Sequence, residues 1–237
     1  MTAPTTAVLL DVEGTTTPID FVYRVLFPFA RERYLSFLSA HLADAEVAAE
    51  VRSLLEEHRR DATGGQRPPA WEDSPEAVAA YAAWLTDRDR KSAPLKALQG
   101  RIWEEGFRAG ELQARVYEDV PAALLRWTGA GKTVAIFSSG SVRAQQMLFA
   151  HTQAGDLTPH LSEYFDTTIG FKTEPESYRR IAARLARQPE QILFVSDVMA
   201  ELDAARAAGV QTALAARSDT MPMGATHRLV RTFDRLG

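Results

Sequence analysis

The sequence of 237 residues contains no cysteine. Such a chain has no disulfide framework, no Cys-based zinc site and no cysteine nucleophile. Metals could then be held only by oxygen or histidine. The five histidines include no pair with the close spacing of metal ligands, so oxygen is favoured; they are His41, His58, His151, His160 and His227.

The chain also has no excess of positive charge and no long apolar run. Its 27 basic and 31 acidic residues give a formal charge of -4, which predicts no binding to nucleic acid or anionic membranes. No apolar run approaches the roughly 20 residues that span a bilayer. The N-terminal MTAPTTAVLL lacks the basic segment of a signal peptide. We therefore expect a soluble cytoplasmic protein that acts on small molecules.

Four short apolar runs predict buried strands: Ala7 to Leu10, Thr133 to Phe137, Ile192 to Val195 and Val210 to Ala215. Helical patterns separate the last three strands, and Gly209 is placed to end the last of these helices. Alternating strands and helices predict an α/β fold, with a Rossmann-like parallel sheet covered by helices on both faces.

More than a hundred residues with helical patterns separate the first two predicted strands. A break at residues 61–75 contains Gly-Gly and Pro-Pro and predicts a loop. Ser74 and Pro75 then suit the N-cap and first turn of a new helix. We expect a Rossmann-like catalytic core of residues 1–20 and 118–237, interrupted by a helical domain at 21–117.

Polar residues follow the predicted strands, where ligands bind in open parallel sheets. They are Asp11, Glu13, Ser138, Ser139, Lys172 and Asp197. Each alone is more often a turn, helix-cap or surface residue. Their ordered occurrence at successive strand ends favours a shared site.

Two of these carboxylates suit a magnesium ion, which prefers oxygen ligands and keeps several waters. With Asp11 and Asp197 beside the ion, Asp11 could attack a phosphate and form an aspartyl phosphate. Glu13 is close enough in sequence to act as general acid and then general base.

The remaining polar residues suit a phosphate group. Ser138, Ser139 and the backbone around Gly140 precede a predicted helix, whose N-terminus favours anions. Lys172 would add a positive charge beside the same oxygens. The sequence therefore predicts phosphoryl transfer from a small-molecule phosphate.

The order Asp-x-acid-Gly-Thr, a later hydroxyl, Lys and a further Asp resembles the haloacid dehalogenase superfamily. The segments LLDVEGTTTPIDFVYRVLFPFA, FSSGSVRAQQMLFAHTQAGDL and ILFVSDVMAELDAA resemble its acireductone synthase family, the enolase-phosphatases of methionine salvage. Glu13 favours that family, since the superfamily's phosphatases commonly carry Asp there.

The resemblance implies roles for the residues that match the family's motifs. Asp11 and Glu13 would be catalytic. One Mg²⁺ per subunit would lie at Asp11, Asp197 and the backbone carbonyl of Glu13. Ser138, Ser139 and Lys172 would bind substrate. The resemblance further implies a monomer whose helical insertion is a cap over the site.

The implied reaction starts from 2,3-diketo-5-methylthiopentyl-1-phosphate. Enolisation and then dephosphorylation through an aspartyl phosphate yield the acireductone 1,2-dihydroxy-3-keto-5-methylthiopentene. The base of the first step is open between Glu13 and a residue of the insertion. The alternatives are a related phosphatase of another small phosphate monoester, a receiver domain, and an inactive binding protein. Motif order disfavours the receiver domain, because Lys172 precedes Asp197.

Two segments carry no assigned site role. In the insertion, Arg90, Lys91, Gln99 and Trp103 lie in a family-like stretch, where ordinary helix packing is the favoured interpretation of each. Near the C-terminus, Arg217 is followed by Ser-Asp-Thr, whereas the family often has Arg-Pro-Gly-Asn. We assign no function to that loop or to residues 221–237.

Overall fold

The computed structural model describes residues 3–217 and 226–236. The loop departure at residues 218–220 therefore lies outside the described residues. The chain divides into two compact units. One, here called the core unit, contains the described residues up to Phe21 and from Gln113 onwards; the other, the helical unit, is Val22–Leu112.

The core unit is built on a parallel sheet in the order β3-β2-β1-β4-β5-β6. Within the described ranges its strands are β1 Ala7–Leu10, β2 Thr133–Phe137, β3 Glu163–Phe165, β4 Ile192–Ser196, β5 Gln211–Ala215 and β6 Arg228–Val230. Strands β1 and β4 are buried along their whole length because helices cover the sheet, and this explains their continuous apolar sequence. The predicted parallel α/β fold is confirmed.

Strand β1, the first strand in the sequence, lies in the middle of the sheet. After β1 the chain adds β2 and β3 on one side, then crosses to place β4 on the other side of β1. Leu9 of β1 consequently pairs with Ala135 of β2 and with Phe194 of β4. The strand order therefore reverses between β1 and β4. In open α/β sheets, ligands bind beyond the carboxyl ends of the strands at such a point.

Helices occupy both units. They are α1 Ile19–Phe21, α2 Phe27–His41, α3 Ala45–Thr63, α4 Pro75–Thr86, α5 Ala93–Arg108, α6 Asp119–Gly129, α7 Val142–Ala150, α8 Pro175–Arg184 and α9 Met199–Ala207. A π-helical stretch, Val22–Leu26, joins α1 to α2, and 3-10 turns cover Thr158–His160 and Pro189–Gln191. No helix in the described ranges is long and apolar enough to cross a membrane.

Four of the strands were predicted from their apolar runs, and their ends shift by one residue at most. The three-residue strands β3 and β6 were not predicted. Each begins with a charged residue, Glu163 or Arg228, and each lies at an edge of the sheet. An edge strand needs no continuous apolar sequence, so periodicity carries little signal there.

The helical unit is held by buried and partly buried polar contacts as well as by its apolar core. Gln99 donates to the Tyr34 hydroxyl at 2.9 Å, and the Trp103 indole donates to the Leu26 carbonyl at 2.7 Å. Arg90 donates to Asp61 at 2.9 Å. Three of the four family-like insertion residues therefore have structural partners inside this unit.

The loop predicted at residues 61–75 starts three residues too early. Helix α3 continues to Thr63, because Asp61 lies buried on its inner face and accepts hydrogen bonds from both Tyr81 and Arg90. The helix ends at Gly64 and Gly65. The predicted start of α4 is confirmed: the Ser74 hydroxyl accepts from the Ala77 backbone N–H at 3.2 Å.

Replacing Ser74 with Ala should lower the free energy of unfolding of the helical unit by about 1 kcal/mol, because the N-terminal N–H loses its acceptor. Urea titration followed by circular dichroism measures this loss. Ser53→Ala is the matched control, since Ser53 is exposed within α3 and only donates to the Ala49 carbonyl. An equal loss in both variants would contradict the capping role.

Candidate active site

Asp11 directly follows β1 and lies at the point where strand order reverses. Its backbone N–H donates to the Val195 carbonyl of β4 at 3.0 Å, which extends the β1–β4 ladder by one residue. Its side chain is buried. One carboxylate oxygen accepts from Lys172, and the other accepts from the Thr15 hydroxyl at 3.4 Å. Both oxygens of Asp11 therefore have a donor that fixes the carboxylate.

The turn after Asp11 is tight. The Val12 carbonyl accepts three backbone N–H groups, from Thr15 at 3.2 Å and from Thr16 and Thr17 at 2.9 Å. Gly14 adopts a φ of 74°, which disfavours residues with a side chain. A Cβ at Gly14 would lie 2.1 Å from an Asp197 carboxylate oxygen. The missing side chain therefore lets Asp197 approach the turn.

Glu13 and Ser138 meet above the ends of β1 and β2. The Ser138 hydroxyl donates to the Glu13 carboxylate at 3.3 Å, and the Gly140 backbone N–H donates to the same hydroxyl at 3.2 Å. Ser138 is buried, whereas Ser139 is exposed. These contacts leave a hydroxyl, a backbone N–H and a carboxyl group together at one strand edge.

Two of the first N–H groups of α7 already have acceptors. Val142 donates to Asp166 at 3.3 Å, and Ala144 donates to the Ser141 hydroxyl at 3.2 Å. These two N–H groups are therefore less available to an anion at this helix N-terminus.

Lys172 lies between two acids. Its ammonium group contacts Asp11 and also Glu201, the latter at 2.7 Å. The Tyr178 hydroxyl donates to the Lys172 carbonyl at 2.7 Å, so α8 fixes the loop that carries the lysine. Glu201 also accepts from the Ser196 hydroxyl at 2.8 Å.

The carboxyl groups repel one another. Burial and then the Asp11 charge raise the pKa of Glu13 above its ordinary value. Burial and then the Asp11 charge also raise the pKa of Asp197 to about 6. The same two causes raise the pKa of Glu201, and the positive charge of Lys172 partly offsets that increase. Burial lowers the pKa of Lys172, but the Asp11 and Glu201 carboxylates outweigh it and the pKa is raised.

This excess of buried negative charge suits a cation. In the described part of the chain no three acidic or histidine side chains converge closely enough to enclose a metal alone. A magnesium ion does not need that, because two carboxylates and a carbonyl leave room for its waters. The donor set of Asp11, Asp197 and the Glu13 backbone fits such an ion.

Most of the predicted residues come together at one edge of the sheet. Asp11 contacts Lys172 and Glu13 contacts Ser138, and the charges of the first pair act on Glu13. Asp197 packs against the turn at Gly14. Ser139 is exposed beside them. Sequence reasoning missed Glu201, whose acidic side chain four residues after Asp197 was the available signal.

Sequence reasoning also gave no role to Arg217. In the structure its guanidinium donates to the Thr15 carbonyl at 2.9 Å, in the turn that follows Asp11.

Residues 5–209 match the family described as haloacid dehalogenase-like hydrolase. Enolase-phosphatase E1 of Synechococcus elongatus is 51% identical over 98% of this chain and 97% of its own. Enolase-phosphatase E1 of Sorangium cellulosum is 46% identical over 98% of this chain and 97% of its own length. The crystal structure of the UTR4 protein from Saccharomyces cerevisiae is 32% identical and covers 98% of this chain and 100% of its own, with a TM-score of 0.78.

Gly14→Ala should displace Asp197 and weaken the binding of Mg²⁺, because the new methyl group would overlap the Asp197 carboxylate. Isothermal titration with Mg²⁺ measures this effect. Gly131→Ala is the matched control, since Gly131 has a φ of 75° but nothing within 4 Å of its added Cβ. Both variants should lose about 1–2 kcal/mol of stability from backbone strain. Equal Mg²⁺ affinity in both would contradict the close approach of Asp197.

Proposed function

The chain belongs to the haloacid dehalogenase-like hydrolases, and from this premise we propose that it is an enolase-phosphatase that uses Asp11 as its nucleophile. The substrate is 2,3-diketo-5-methylthiopentyl-1-phosphate. Enolisation followed by dephosphorylation yields 1,2-dihydroxy-3-keto-5-methylthiopentene in methionine salvage. Relatives named enolase-phosphatase that match nearly the whole chain at 46–51% identity support this substrate.

The observation that carries the phosphatase chemistry is the contact of Asp11 with Lys172 beside the Glu13–Ser138 pair. A carboxylate nucleophile must approach a phosphate that is itself negatively charged. The ammonium group of Lys172 lowers this repulsion and holds one Asp11 oxygen in place. The Thr15 hydroxyl donates to the other oxygen, so both oxygens of Asp11 are oriented.

Phosphate transfer then proceeds in two displacements. An Asp11 oxygen forms a bond to phosphorus, the ester P–O bond breaks, and the Glu13 carboxyl gives its proton to the leaving oxygen. A water next attacks the aspartyl phosphate, loses a proton to Glu13, and releases phosphate and free Asp11. The raised pKa of Glu13 suits this role, because it keeps a proton available for the first displacement.

The phosphate oxygens bind to groups at the end of β2. The Gly140 N–H donates to the Ser138 hydroxyl, and both groups can donate a hydrogen bond to a phosphate oxygen. Ser139 adds a donor from the exposed side of the loop. Lys172 contributes its charge, and Glu201 positions it through the 2.7 Å contact.

Haloacid dehalogenase-like hydrolases generally use Mg²⁺. Asp11, Asp197 and the Glu13 carbonyl would hold one such ion here. When bound, it would neutralise the charge that gathers on phosphate and substrate oxygens.

Enolisation removes a proton beside a carbonyl, and the positive charge of Lys172 favours it by stabilising the enolate. The base is either Glu13 or a residue of the helical unit. By resemblance to the family, the helical unit would be a cap that excludes water during the reaction. A cytoplasmic monomer stays a prediction from sequence.

The substrate assignment is tested by incubating the full chain with the diketo phosphate and Mg²⁺. We expect phosphate release together with the acireductone's ultraviolet absorbance, at a higher kcat/KM than with a panel of sugar phosphates. Chelation by EDTA should stop both signals.

Asp11→Asn should release no phosphate, because an amide is a poor nucleophile. Faster turnover of the sugar phosphates would make the substrate assignment wrong, and an active Asp11→Asn variant would exclude the mechanism.

Glu13→Gln should lower kcat far more than it changes KM, because an amide cannot donate and then accept the proton while the binding groups remain. General acid–base catalysis contributes roughly 10²–10⁴-fold. Steady-state kinetics give the split between the two constants. Glu176→Gln, an exposed acid on α8, is the control and should match the wild type. A raised KM with unchanged kcat would contradict the acid–base role.

A further inference from the structure

Arg217 ties the turn that follows Asp11 to two distant parts of the core unit. Its Nε donates to the Thr15 carbonyl at 2.9 Å. Its Nη1 lies 2.9 Å and 2.8 Å from the two carboxylate oxygens of Asp119, and 3.1 Å from the Arg231 carbonyl. One buried side chain therefore joins the catalytic turn, the start of α6 and the C-terminal segment.

Aromatic rings fix the plane of this guanidinium. The centre of the Tyr117 ring lies 4.4 Å from the Arg217 Cζ, and the centre of the Phe233 ring lies 4.1 Å from it. Phe233 is fully buried, and its backbone N–H donates to the same Asp119 carboxylate. A side chain 6% exposed between two rings has little freedom to rotate.

The residue that Arg217 holds, Thr15, also contacts the proposed nucleophile Asp11. Thr15 receives Arg217 at its carbonyl and donates from its hydroxyl to an Asp11 oxygen at 3.4 Å. The next carbonyl, of Thr16, accepts from the Tyr117 N–H at 2.9 Å. Moving the Thr15 peptide would therefore move the hydroxyl that donates to the Asp11 carboxylate.

We propose that Arg217 is a positioning residue for the nucleophile Asp11, acting through Thr15, and that Asp119 and the ring pair hold it in place. This inference rests on the proposed nucleophilic role of Asp11. Arg217 touches neither the Asp11 carboxylate nor the phosphate donors, so its loss changes turnover rather than substrate binding. Lysine cannot replace it, because a single ammonium cannot reach three separated acceptors in one plane.

The test compares Arg217→Lys with Arg126→Lys in the full chain. Arg126 is a matched control, because it donates to the Phe233 and Leu236 carbonyls and so also anchors the C-terminal segment, without contacting the turn. We expect kcat of Arg217→Lys to fall roughly ten- to a hundredfold with KM within about twofold of wild type, the size expected for a small displacement of a reacting group. Arg126→Lys should lose stability in urea but keep its kcat.

Chemical rescue separates positioning from folding. Guanidinium ions at non-denaturing concentration should partly restore kcat of Arg217→Ala, and ammonium ions of equal concentration should not. An unchanged kcat in Arg217→Lys, or an equal fall in Arg126→Lys, would overturn the inference.

The kcat of Arg217→Lys and of Arg126→Lys is also measured with p-nitrophenyl phosphate. Hydrolysis of this ester requires the proposed nucleophile Asp11 but does not depend on which phosphate is the natural substrate. Loss of kcat on this ester supports the inference even where the diketo phosphate proves a poor substrate. Failure of the substrate assignment is thereby distinguished from failure of the positioning role.

Discussion

The contact between Lys172 and Asp11 is the interaction on which the rest of the site depends. Four carboxyl groups, of Asp11, Glu13, Asp197 and Glu201, influence one another at the strand ends, and a single ammonium lies among them. Like charges in a partly dry site repel strongly. The positive charge of Lys172 opposes this repulsion and partly offsets the raised pKa of Glu13, Asp197 and Glu201.

Lys172 lies in a loop that does not follow either of the central strands β1 and β4. Lys172 follows the edge strand β3, and α8 holds its carbonyl through Tyr178. Asp11 and Asp197 come from β1 and β4, which are neighbours only because strand order reverses between them. The parallel sheet thus gathers residues far apart in sequence at one edge, where its strand ends are close together. A change in strand order would separate the acids from their counter-ion.

Sequence reasoning recovered the residues whose position follows from strand ends and missed those whose role depends on packing. Asp11 and Asp197 follow strands with continuous apolar runs, so their location could be predicted. A glutamate in the first turn of a helix, such as Glu201, is ordinarily explained by the helix dipole. Arg217 bonds to a backbone carbonyl 202 residues away, and no side-chain pattern records such a partner. Strands β3 and β6 escaped prediction because edge positions tolerate charged residues.

The two proposed catalytic acids differ through their partners rather than their chemistry. Asp11 accepts from Lys172 on one oxygen and from Thr15 on the other, so the orientation of its carboxylate is fixed. Glu13 has the neutral Ser138 hydroxyl as its partner and Asp11 as a neighbouring negative charge, and its pKa is raised. Since Asp11 contributes to that shift, the nucleophile's own charge helps Glu13 to hold the proton that the leaving oxygen needs. After the first displacement Glu13 has given up its proton, and the resulting carboxylate is the group that can accept a proton from the attacking water in the second displacement.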